Sequence, residues 1–156
     1  MRKHLYIFVL CTLSLCTLVG CKDKNAPESF YGNVERPTWT APEVSDITSS
    51  MTAVIKVDLK AQYPETAADW QRSGNDLLAA FSGETCLGVG AWKEEAGAYW
   101  LYIAAPVTGN PSSVTLKYYS AHYKNLFIAA DAFIFHNDDH LGTVAEPLMP
   151  TFVVVK

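Results

Sequence analysis

The sequence predicts an all-β fold, a two-sheet antiparallel β-sandwich of the immunoglobulin-like or jelly-roll-like kind with about seven strands. Three observations carry that prediction. From Met51 onward, apolar residues recur at every second position, the period of a strand with one buried face. Turn residues (Gly, Pro, Asn, Asp) interrupt these runs roughly every ten residues, the spacing of an all-β domain. After the N-terminal apolar run, no window of about twelve residues combines helical spacing with caps. A small closed barrel is the alternative, because sequence does not say which strands pair at the edges.

Arg2, Lys3 and His4 lead into an almost wholly apolar run, residues 5–18. That order is the order of a secretory signal. As a helix the run spans about 21 Å, short of the roughly 30 Å hydrocarbon core, so residues 1–20 read as a cleaved signal rather than a permanent span. Leu18-Val19-Gly20-Cys21 closes the run and resembles a bacterial lipobox. The resemblance implies cleavage before Cys21 and lipidation of that cysteine with diacylglycerol and a further acyl chain such as palmitate. Each buried methylene of such chains contributes about 0.8 kcal/mol to membrane attachment. Cys11 and Cys16 leave with the signal, so Cys86 is the remaining thiol and no intramolecular disulfide is expected. No His or charged residue lies within Thr85-Cys86-Leu87-Gly88-Val89, and Cys86 reads as a small buried side chain.

Residues 21–47 read as a lipid-anchored, proline-containing tether, held extended by Pro27, Pro37 and Pro42. Lys22-Asp23-Lys24 is similar in part to the acidic export signals of Bacteroidetes surface lipoproteins. The expected location is therefore the outer membrane, lipid-anchored, either surface-exposed or facing the periplasm. Phe30, Tyr31 and Trp39 are unusual in a linker and predict that its second half packs onto the domain as a lead-in strand.

The domain is expected over residues 48–156. Its first strand is the cleanest, with Met51, Ala53, Ile55, Val57 and Leu59 on one face and Thr52, Lys56 and Asp58 on the other. A polar loop follows over residues 60–75, in which residues 65–70 have the composition of one helical turn. Residues 76–81 form the next strand, and Ser82-Gly83-Glu84 turns the chain into residues 85–92. Gly88 and Gly90 share a face of that strand and predict a bulge, or an aromatic ring lying across bare backbone. Further strands are expected over residues 98–107, 114–121, 125–135 and 150–155, with a turn at Thr108-Gly109-Asn110-Pro111 and an irregular segment around Gly142 and Pro147.

Asn75-Asp76-Leu77-Leu78-Ala79-Ala80-Phe81 followed by Gly83-Glu84-Thr85-Cys86-Leu87-Gly88-Val89 resembles the hairpin of a β-sandwich module common in Bacteroidetes surface and secreted proteins. Tyr99 to Ile103, Val114 to Tyr119 and the late Leu141-Gly142-Thr143 with Pro147 match its following strands and its ending. The likeness covers about two thirds of the chain and implies an accessory or display module near the cell envelope. The family's function is unknown, so the resemblance brings no catalytic residues with it.

Composition narrows function further. With 16 Asp+Glu against 12 Lys+Arg, the chain lacks the basic footprint of a nucleic-acid binder. Phosphate loops, nucleophile elbows and paired-cysteine motifs do not occur. His136-Asn137-Asp138-Asp139-His140 gathers two imidazoles and two carboxylates, a weak surface metal site if extended, but it reads most simply as the loop leaving a strand. No catalytic, cofactor-binding or metal residues are expected, and the chain reads as a non-enzyme.

Aromatic residues are the stronger hint: four Trp, eight Tyr and seven Phe. Trp70, Trp92, Trp100 and Tyr102 are the candidate ligand-contact residues, since exposed rings stack on sugar faces or anchor a protein partner. The expected function is a non-enzymatic interaction or display module. The alternative is a glycan-binding accessory lipoprotein, which requires at least two of those four rings on one exposed platform. The expected partners are the membrane, through Cys21, and a protein or a glycan.

Overall fold

Alternation in the sequence becomes two stacked sheets in the computed structural model, which describes residues 30–43, 45, 47–106, 109 and 111–155. Among the described residues the strands are β1 (Ile47–Ile55), β2 (Leu77–Ser82), β3 (Thr85–Val89), β4 (Ala91–Lys93), β5 (Ala98–Pro106), β6 (Thr115–Ser120), β7 (Asn125–Ala129), β8 (His140–Leu141) and β9 (Phe152–Val154). One short helix, α1 (Leu59–Gln62), follows β1. One sheet runs β4-β5-β1-β8 and the other β3-β2-β6-β7-β9. All neighbours pair antiparallel except β1 and β8. The sheets do not close, so the sandwich stands and the barrel does not. Nine strands replace the seven expected, chiefly because short segments at the crossovers pair as well.

The core is the contact between the two inner faces. Met51, Ala53 and Ile55 of β1 join Tyr99, Leu101 and Ile103 of β5, all at most 2% exposed, against Leu78, Leu116, Tyr118, Phe127 and Phe152 of the other sheet. The face read from residues 51–59 is buried throughout, but the strand stops at Ile55. Asp58 explains the stop: its carboxylate accepts from the Ala61 amide at 2.9 Å and caps α1, and Pro64 prevents the helix from continuing. The helical turn therefore lies at α1 and not at residues 65–70, which form successive turns.

The expected single strand over residues 85–92 is divided at Gly90, with β3 in one sheet and β4 in the other. Gly88, inside β3 just before this corner, lets the two sheets approach closely. A Cβ there would lie 2.1 Å from the Tyr102 carbonyl oxygen, so bare backbone is pressed on the backbone of β5 rather than on an aromatic ring. The expected bulge is present, as a register shift at Ala80/Phe81 opposite β3. The run over residues 125–135 is likewise shorter: β7 ends at Ala129, and the chain bends away to pair β8 with β1.

Phe30 is 7% exposed, with its ring edge-on to Tyr63, Tyr123 and Phe127. Burying such a ring contributes about 2 kcal/mol. The Gly32 and Val34 amides bond the Tyr123 and Lys124 carbonyls, and Trp39 packs edge-on to Phe81. Among the described residues the packed body thus reaches back at least to Phe30, into the segment expected to be tether. Tyr31 and Tyr123 donate their hydroxyls to Asp69 at 2.5 and 2.9 Å, clasping this lead-in to the domain. Those bonds hold the Asp69 carboxyl down at about 2.

The outer edge of β9 is capped by side chains. Gln62 donates Nε2 to the Pro150 carbonyl at 2.7 Å and accepts the Phe152 amide at 3.0 Å, as a neighbouring strand would, and Tyr63 donates to the Phe152 carbonyl. A covered edge does not template another chain.

Candidate functional site

Period two decides which rings of β5 meet water. Tyr99, Leu101 and Ile103 fill the core, so Trp100 and Tyr102 must point out of the sandwich, about 6.6 Å apart along the strand. They are 43% and 54% exposed. Val54 and Thr52 lie beside them on β1, and Ala91 beside Trp100 on β4. Together these side chains floor an open trough of about 460 Å³. Lys93, with its side-chain nitrogen 5.7 Å from the Trp100 ring centroid, is the one lysine among the described residues that line it.

One wall is the loop after β8. Gly142 has φ +70°, and a Cβ on it would meet the Leu148 amide at 2.6 Å and the Val54 carbonyl at 2.7 Å. Only glycine turns the chain there. The Thr143 amide bonds the Glu146 carbonyl, Thr143 Oγ1 accepts the Glu146 amide, and the Leu148 amide returns to Val54. This closed loop carries Val144, 52% exposed, to the rim of the trough.

Trp92 and Trp70 do not join the platform. Trp92 pairs in register with Tyr99, which turns its ring toward the inner side at the sheet edge, edge-on to Tyr99 at 5.1 Å. The Arg72 guanidinium covers its other side at 4.0 Å, and Glu94 accepts its indole N–H. Trp70 packs on the core. Nearby, buried Asp76 accepts from the Tyr118 hydroxyl at 2.6 Å and from the Ala121 and Ser73 amides. Burial and the Asp76 charge push Tyr99 up to about 12 and Tyr118 higher still, so both hydroxyls stay protonated as structural groups.

His136 to His140 form a turn at the edge of the same sheet. Asn137 Oδ1 accepts the Ser50 amide, the Asp138 amide bonds the Ser50 carbonyl, and Asp138 adopts φ 59°. His140 is held on Thr52 Oγ1 rather than turned toward a shared metal position. Among the described residues, no three His, Cys, Asp or Glu side chains are placed to hold a metal ion. Burial raises the Cys86 thiol above its ordinary value, which keeps it protonated. Cys21 and residues 1–20 lie outside the described residues, as do Thr108 and Asn110.

No family model, curated protein or solved structure matches the chain. The trough is therefore read from its chemistry. It offers two ring faces, an ammonium, a threonine hydroxyl and an apolar wall, which are means of contact. Sequence reasoning named Trp100 and Tyr102 but missed Lys93 and Val144. The signal for Val144 was present in Gly142-Thr143 and Pro147, the punctuation of a closed loop.

Proposed function

We propose that the chain is a non-enzymatic lipoprotein of the outer membrane or cell surface, of the Bacteroidetes kind, that binds a saccharide in the Trp100–Tyr102 trough. The anchor reading is supported by the sequence, where Arg2 and Lys3, the apolar run and Leu18 to Cys21 stand in the order of a lipoprotein signal. One observation carries the ligand reading: two exposed rings lie side by side in an open trough of about 460 Å³. That volume is in the range of small-ligand sites, about 300–1,000 Å³.

An open trough covers only one side of its occupant. The occupant must then be apolar on one face and polar elsewhere, or binding strands apolar surface in water. A pyranose ring meets that requirement: its axial C–H face lies on the negative face of an aromatic ring while its hydroxyls stay hydrated. Lys93 and, on the floor, the Thr52 hydroxyl that also bonds His140 supply polar contacts. A protein partner is the second reading, favoured by Val144, which extends the apolar surface past the two rings.

The test is a titration of tryptophan fluorescence with a panel of neutral and acidic polysaccharides. A saturable change that Trp100→Ala abolishes, with circular dichroism unchanged, is the expected result. A flat response across the panel refutes the saccharide reading.

A further inference from the structure

The five-stranded sheet has an outer face too, and residues 30–43 cover only part of it. On the β2 and β6 side, Trp39 lies against Phe81 and the Val34 carbonyl accepts the Tyr119 hydroxyl. On the β7 and β9 side, Leu126, Ile128, Val153 and Val155 form an apolar strip that lines two open concavities of about 660 and 330 Å³. Val153 and Val155 are 39% and 46% exposed.

We infer that this strip is the surface on which the domain rests against the lipid bilayer; the inference rests on the Cys21 anchor proposed above. Phe30, the first described residue, lines the larger concavity beside Val153 and Val155. Eight residues, 22–29, separate it from Cys21, and the nine steps between them reach about 30 Å at full extension. An acylated Cys21 therefore keeps the strip close to lipid at all times. At so high an effective concentration, a weak apolar contact suffices to set the orientation.

Two further observations favour lipid as the occupant. Residues 22–29 are polar apart from Ala26 and Pro27, so they make poor cover for a row of valines. The charged pair on this face, Lys117 with Glu84 at 3.5 Å, is neutral overall, which suits a zwitterionic surface. The consequence is an orientation. Stacked sheets turn their outer faces in opposite directions, so with the strip on lipid the Trp100–Tyr102 trough points away from the membrane.

The test places full-length acylated protein in phosphatidylcholine vesicles with an environment-sensitive dye on Val153→Cys or Val155→Cys, and on Ala91→Cys for the trough side. All three carry Cys86→Ala. The expected result is a blue shift and several-fold protection from an aqueous quencher at the two strip positions, at every protein-to-lipid ratio, with Ala91→Cys unprotected. Equal exposure at all three positions overturns the inference. Protection that grows with protein density also overturns it, because a second copy then covers the strip. The mass of the N-terminal peptide separates the two levels: acylated Cys21 with an exposed strip sinks the orientation alone, and unmodified Cys21 sinks the anchor and the orientation together.

Discussion

Substituting Gly88→Ala tests the corner that joins the two sheets. The new Cβ would stand 2.1 Å from the Tyr102 carbonyl oxygen and 3.1 Å from its carbon, both backbone atoms that no rotamer change can move aside. Ordinary contact requires β3 and β5 to separate by more than about 1 Å, and overpacking of that kind costs about 1–3 kcal/mol. Since both partners are backbone held in ladders, the upper end applies, about 3 kcal/mol. With an m-value near 1.5 kcal/mol/M, the urea midpoint falls by about 2 M. Gly74→Ala is the control, because an added Cβ there meets nothing within 4 Å. It is expected to be neutral or to stabilise by up to about 1 kcal/mol through the unfolded chain. Equilibrium unfolding followed by circular dichroism measures both. A Gly88→Ala midpoint within about 0.3 M of the parent would refute the close approach of β3 to β5.

Other expectations follow from single contacts. Asp69 is lowered from 3.8 to about 2 by the hydroxyls of Tyr31 and Tyr123, so the clasp favours its ionised form. Its contribution is complete above the unfolded value and disappears as pH falls through about 2; a carboxyl carbon NMR titration midpoint near 4 would contradict the clasp. Tyr31 and Tyr123 are raised above 10, chiefly by the Asp69 bond in the first and by burial in the second. Their contribution is present below pH 10 and fades above it, which proteolysis within residues 30–43 should report as faster cleavage at high pH. Gln62→Ala removes two hydrogen bonds from the edge of β9 and is expected to cost about 2 kcal/mol. The same variant exposes strand edge, so light scattering on heating should rise; an unchanged midpoint and clear solutions would show that the edge needs no cap.

Much of the architecture was legible, for a physical reason. A strand with one buried face writes its period into the sequence, and the face Met51, Ala53, Ile55 is buried as read. Proline and glycine marked turns because their backbone limits act locally, as at Gly83 with φ 56°. Sheet membership was not legible. Nothing local distinguishes β3 from β4 across Gly90, because the corner depends on the Tyr102 backbone, remote in sequence. Helix placement failed for a similar reason: composition suggested residues 65–70, while the Asp58 cap and Pro64 fixed the turn at α1.

The site was half legible. Parity set Trp100 and Tyr102 on the face opposite Tyr99 and Leu101, but which face looked outward depended on the opposing sheet. Trp92 shows the limit most clearly. Register with Tyr99, a tertiary fact, turned its ring toward the sheet edge under Arg72. Val144 contacts the trough only because Gly142 closes its loop on Val54.

In the function proposed above, Trp100 and Tyr102 form the ligand surface. Its most direct test follows the indole N–H resonances of Trp39, Trp70, Trp92 and Trp100 by NMR while a bound polysaccharide is titrated in. The expected result is a saturating shift of Trp100 alone, with Trp39, Trp70 and Trp92 unmoved. Shifts at Trp92 or Trp70 with Trp100 unchanged would place the ligand elsewhere and contradict the proposed saccharide site.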